Sequence, residues 1–290
     1  MDGGEGNDGD YVAALNKGSL TMIRKLITAW WFGAVLFISV GAHDLFFKFD
    51  SYFLQPNSKA TVRLLNGTFR ASEATLARDR MVDASIVNPS GERAHPPPSG
   101  WRDEGTTTLL DFETAAAGTY LIGLVTSSRE VEQKAAAFND YLAHEGLPDI
   151  LAERRKNNQL NRDIRRRYSK YAKAIFQVGE ARTDSFQTRL GYPVELVPLR
   201  NPYALKSGDT LEVLCLRNGQ PLANQIVAAA REAKGRELPP VSLRSDDKGI
   251  ARFKLNGTGK WYVKFIHMTS LADPHINYES KWATLTFEIK

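Results

Sequence analysis

Gly191-Tyr192-Pro193-Val194-Glu195-Leu196-Val197-Pro198-Leu199 opens the segment on which the fold assignment turns. Ser207-Gly208-Asp209 turns into an apolar stretch from Thr210 to Arg217, and Asn218-Gly219-Gln220-Pro221-Leu222 is the next turn. Gln225 to Arg231 pairs back. Ser242 to Ser245 leads into the hairpin turn Asp246-Asp247-Lys248-Gly249. Ile250 to Leu255, Gly259 to His267 and Trp282 to Ile289 complete the set. About seven strands at this spacing predict an immunoglobulin-like sandwich over 191–290, without the Cys-Trp-Cys pattern of antibody domains.

Working outward, residues 43–128 also read as strands. Lys59 to Asn66 alternates and ends at Asn66-Gly67, a hairpin-type turn. Arg80 to Asn88, Thr106 to Glu113 and Thr119 to Thr126 follow, separated by Pro- and Gly-rich turns. This predicts a second antiparallel sandwich. Between the two, residues 129–190 change period. Val131, Ala135, Phe138 and Leu142 step by three or four, and the helical reading continues through Ile150–Asn161 and Ile164–Val178. The fold class is therefore mainly β: two antiparallel immunoglobulin-like β-sandwich domains with a helical insertion. The run from Arg162 to Lys173 carries six bases and one acid and reads as a solvated, membrane-facing helix face.

Residues 1–42 read as an N-terminal extension and a signal peptide. Arg24 and Lys25 precede the mostly apolar run Leu26–Val40, and Val40-Gly41-Ala42 supplies a cleavage site. That run is short of the roughly 20 residues a spanning helix needs. Met22 is a better start for such a signal than Met1. The expected location is the periplasm, or the membrane if the signal stays as an anchor. The formal charge of +5, with the bases dispersed, is too weak to argue for nucleic acid. Cys215, the single cysteine, excludes an intrachain disulfide and sits among apolar neighbours as a buried structural thiol.

A set of motifs spread over 43–290 carries a family resemblance. They include Ala42-His43-Asp44-Leu45-Phe46, Phe138-Asn139-Asp140-Tyr141-Leu142-Ala143-His144-Glu145-Gly146-Leu147, and Tyr168-Ser169-Lys170-Tyr171-Ala172-Lys173. Gly191–Pro198 with Asn201-Pro202-Tyr203, Gly219-Gln220-Pro221-Leu222, Asp247-Lys248-Gly249 and Glu279-Ser280-Lys281-Trp282 belong to the same set. The chain resembles a bacterial domain-of-unknown-function family labelled as a nickel-uptake, substrate-specific periplasmic component. That resemblance implies nickel or cobalt as cargo and a membrane metal transporter or another envelope protein as partner.

The residues suggest where a metal would sit. Cleavage after Ala42 would leave His43 with its α-amine and its imidazole Nδ1 side by side, a chelate suited to divalent nickel or copper. Asp44 adds an oxygen. His267 closes a strand and His275 follows in the loop from Thr269 to Tyr278. The expected metal set is His43, His267 and His275, with Asp44 and Glu279 as carboxylates, and copper as the alternative metal. His95 beside three prolines and His144 in the helical segment are weaker ligand candidates. No His-Glu-x-x-His, Gly-x-Ser-x-Gly, phosphate loop or dinucleotide fingerprint is present, and the expectation is a non-enzymatic protein. A spacer or interaction module with no metal is the competing reading.

Overall fold

Lys173 is the residue that exposes the architecture. A lysine inside an apolar run is buried only where the chain is covered on both sides, and its side chain here is 2% exposed. The computed structural model describes Met1, Gly3 and residues 43–290; the signal-peptide reading lies outside them. The N-terminal strands are β1 (Asp44–Lys48), β2 (Phe53–Leu54), β3 (Lys59–Gly67), β4 (Met81–Val87), β5 (Arg93–Ala94), β6 (Trp101–Glu104), β7 (Thr107–Glu113) and β8 (Gly118–Thr126). Next come β9 (Arg129–Gln133), helices α1 (Ala135–His144) and α2 (Pro148–Lys156), and the long β10 (Ile164–Val178). The C-terminal strands are β11 (Val194–Pro198), β12 (Thr210–Arg217), β13 (Gln220–Pro221), β14 (Ile226–Ala233), β15 (Arg236–Glu237) and β16 (Val241–Arg244). β17 (Ile250–Lys254), β18 (Gly259–Ser270) and β19 (Tyr278–Ile289) end the chain.

The protein is mainly β, as its sequence indicates, with three sheets among the described residues. An eleven-stranded central sheet runs β15-β14-β18-β19-β10-β8-β4-β5, with β16 on β14 and with β2 and β9 on β10. It draws strands from both strand-rich halves and from the region between them, and residues 43–290 form one compact unit. β10 pairs in parallel with both β19 and β2, the exceptions to an otherwise antiparallel pattern. One four-stranded sheet (β1-β3-β7-β6) covers one face, and a second (β11-β12-β13 with β17) covers the other.

The helical reading of Ile164–Val178 is corrected: this segment is the central strand β10. Every residue from Ser169 to Val178 is buried. A strand covered on both faces loses its apolar–polar alternation, so the signal of period two disappears. Successive side chains still point to opposite faces. Phe176 meets Phe49 and Phe112 on the side of the first sheet, whereas Tyr171 and Lys173 meet Tyr192 and Glu195 on the side of the second. The expected solvated face of the basic run is also corrected: Arg166, Lys170 and Lys173 are all buried. Helices exist where Ala135, Phe138 and Leu142 predicted one, but they are short.

β1 forms the rim of the first sheet and is buried along its whole length. The hydroxyls of Thr284 and Thr286 in β19 donate to the carbonyls of Leu45 (2.6 Å) and Phe47 (2.7 Å). These bonds seat the His43 end of the chain on the central sheet. Cys215 is fully buried, and burial pushes its thiol pKa up to about 12, which keeps it protonated and unreactive.

Candidate functional site

His43 stands immediately before β1, whose Asp44 pairs with Gly67 in β3. After Gly67 the chain folds back at once: an isolated bridge joins Gly67 to Ser72, and the Glu73 amide donates to Asn66 O at 3.0 Å. The Ser72 hydroxyl accepts the Asn66 amide at 3.0 Å. This return requires glycine, since a β-carbon at Gly67 would lie 2.5 Å from Ala71 O and 3.1 Å from the Glu73 amide nitrogen. The tight loop brings Glu73 Oε2 to 3.3 Å from His43 Nδ1, with the imidazole one-third exposed. Glu73 belongs to no motif, and only the backfolded loop makes it a neighbour of His43.

Asp44 turns inward. Its Oδ2 accepts from Lys264 Nζ at 2.6 Å, and Glu145 lies on the far side of the same ammonium at 3.5 Å. Burial alone would lower the Lys264 pKa, but the charges of Asp44 and Glu145 outweigh it and hold it above the ordinary lysine value. Burial raises the Glu145 carboxyl pKa. Asp44 Oδ1 is buried without a partner.

His267 lies on β18, three residues from Lys264 and so on the opposite face of that strand. Its Nδ1 meets Gln225 Oε1 at 3.1 Å. The Gln225 amide nitrogen donates to the carbonyls of Ile226 and Ile266, so its oxygen faces the ring and accepts Nδ1–H. Burial first, then Arg217 and Lys281, push the His267 pKa down to about 4. This makes a test. The unfolded chain binds the proton near 6.5 and the folded chain only near 4, so stability is complete above 6.5 and is lost as pH falls through that window. For a half-buried ring the loss is about 1–2 kcal/mol after solvent screening. Urea unfolding at both ends of the window should show a slope that His267→Asn flattens; an unchanged slope in the variant would remove His267 as its source.

His275 is exposed in the turn before β19, where its own amide donates to Asp273. Glu279 pairs with Arg167 at 3.1 Å and with Lys281. Burial would raise its carboxyl pKa, but these two cations hold it below the ordinary value. The expected five-residue metal set is therefore not brought together. His267 and Glu279 share one face, Asp44 contacts the other, and His43 faces Glu73. Among the described residues no three His, Cys, Asp or Glu side chains converge as a metal cage. The reason is strand parity: odd spacing between His267 and Lys264 separates His267 from the face that Asp44 reaches. His95 rests on Ala84 O and His144 on Asp140 O.

Residues 40–269 match the family model described as Domain of unknown function (DUF4198). The chain belongs to that family. No curated protein matches the sequence. Among solved structures, a trypsin-activated alpha-2-macroglobulin from Escherichia coli is similar at 13% identity over 85% of this chain, with a TM-score of 0.25. The chain spans 16% of that protein's length. The D0-D1 domain of intimin covers 84% of this chain and 97% of its own at 13% identity and a TM-score of 0.21. A two-domain fibronectin type-III segment from chicken tenascin gives the same identity and TM-score over 85% of this chain and 97% of its own. Likenesses this distant carry no argument about function. Among the described residues no helix is long and apolar enough to cross a membrane.

Proposed function

We propose that this protein is an exported, non-enzymatic carrier of a divalent metal, built around His43. Nickel or cobalt is the cargo, copper the alternative, and a membrane metal transporter the recipient. The supporting observation is the Glu73 carboxylate 3.3 Å from His43 Nδ1. It adds a hard oxygen donor beside the imidazole nitrogen that would chelate together with a freed α-amine. Nitrogen and oxygen donors of this kind suit divalent nickel, cobalt and copper. Glu73 thus replaces Asp44 and Glu279 as the carboxylate of the site, because those two are held by Lys264, Lys281 and Arg167.

The reading depends on cleavage of the Ala42–His43 bond. Amino-terminal sequencing of the exported protein should begin at His43. Calorimetric titration of that form with nickel, cobalt and copper should show binding that weakens as pH falls, since the ligand nitrogens must be deprotonated. His43→Ala should weaken binding by at least about 100-fold and Glu73→Gln by about 10-fold, the scale on which lost ligands and their supports act. Unchanged affinity in His43→Ala would sink the site.

A further inference from the structure

Part of the basic run that reads as solvent-exposed in the sequence, Arg166 and Lys170, is instead buried, and it points to a second site unrelated to His43. Arg166, Tyr168 and Lys170 lie on one face of β10, and Arg80 reaches the same place from the start of β4. Their charged groups surround the Tyr168 ring, at 5.2 Å for Arg166, 5.8 Å for Arg80 and 6.0 Å for Lys170 from its centroid. Arg80, Arg166 and Lys170 are 8%, 3% and 5% exposed.

Their hydrogen bonds go to neutral groups. Arg80 donates to Ser127 O, Arg166 to Gln133 Oε1 and Ser280 Oγ, and Lys170 to Asn66 Oδ1. None of these acceptors carries charge. Arg80 Nε is buried without any partner. The acids in electrostatic range are Asp44 and Glu145, both already committed to Lys264, and Asp79. Arg129 adds a fourth, exposed cation opposite Tyr168 across β9 and β10. Burying an unpaired cation is costly, and cation–π contact returns only part of that cost. Three such cations converging with spare N–H donors is the pattern of a site whose counter-charge comes from outside the chain.

We propose that Arg80, Arg166 and Lys170 around Tyr168 bind a small tetrahedral oxyanion of the phosphate or sulfate class. Guanidinium forks and an ammonium supply donors from several directions, which fits an anion with several oxygens better than a halide.

The test uses thermal unfolding of the protein in chloride, phosphate, sulfate or acetate at matched ionic strength. Phosphate and sulfate should raise the Tm by several degrees over chloride at millimolar concentration, as mass action requires of a ligand that binds only the folded state. The shift should shrink at least about fivefold in Lys170→Met and in Arg80→Met, each of which removes charge-assisted hydrogen-bond donors from the site. If either core variant fails to fold, the rim variant Arg129→Gln should still weaken the response about two- to threefold, the effect of one partly screened charge. An equal shift in all variants would be a general salt effect and would overturn the proposal, as would no shift in the parent protein. A response to acetate alone would overturn the tetrahedral class.

Discussion

Glu195→Gln is expected to lower the unfolding free energy by about 3–5 kcal/mol, the range for breaking one half of a buried ion pair. Lys173 and Glu195 lie between the central sheet and the second outer sheet, each side chain 2% exposed, with Nζ 2.8 Å from Oε1. The same Oε1 accepts the Leu190 amide at 2.7 Å, and Nζ also donates to Thr188 O at 3.2 Å. The pair therefore fixes the 188–190 segment that leads into β11. Neutral glutamine leaves the ammonium desolvated with no opposite charge, and burial already pushes the Lys173 pKa down. For a unit of this size the loss corresponds to a Tm lower by about 10 °C. Replacing both partners, Lys173→Met with Glu195→Leu, should recover much of the loss, because an apolar pair of similar volume avoids the desolvation cost. Recovery should stay incomplete, since the Leu190 amide and Thr188 carbonyl lose their partners. Urea unfolding of the parent, both single variants and the double variant measures the coupling. A Glu195→Gln protein within about 1 kcal/mol of the parent would show that the pair is dispensable.

Arg154→Met is expected to cost a similar amount, about 3–5 kcal/mol, through a different mechanism. Arg154 is 1% exposed. Its guanidinium donates to Asn139 Oδ1 at 2.9 Å in α1, and to Gln159 O at 2.7 Å and Arg162 O at 2.9 Å in the loop before β10. It also lies 4.9 Å from the centre of the Phe138 ring. Asn139 in turn donates to Leu160 O at 2.8 Å. One side chain thus ties α1, α2 and the 157–163 loop to the sheet. Methionine keeps the volume but leaves the Arg162 carbonyl and the Asn139 amide oxygen without this donor, and it removes one of the two donors to Gln159 O. Beyond the fall in stability, the loop should open locally, so trypsin should cut at Arg155, Lys156 or Arg162 well before the rest of the chain. Cleavage kinetics matching the parent would contradict the clamp.

Both residues show why parts of this protein were hard to read. Arg154 in the sequence sits in Glu153-Arg154-Arg155-Lys156 and resembles any exposed helical charge. Its burial depends on carbonyls from a loop several residues further on. Lys173 lies in Lys170-Tyr171-Ala172-Lys173-Ala174-Ile175, where apolar residues recur at spacings that also suit a helix. The C-terminal strands were legible because turn signals such as Ser207-Gly208-Asp209 and Asn218-Gly219 separate them. Glu73 had no legible role, since its approach to His43 depends on a loop folded tightly against Gly67.

By itself, the sequence determined that the chain is mainly β, that Cys215 is a buried thiol, and that a helix covers Ala135–His144. Each of these follows from local information: turn residues, short-range periodicity and the polarity of immediate neighbours. Tertiary structure alone decided that Ile164–Val178 is the central strand, that Arg166, Lys170 and Lys173 on it are buried, and that His43 faces Glu73 while Asp44 faces Lys264. Strand pairing and layer stacking join residues more than two hundred positions apart, and no local pattern encodes which faces will meet.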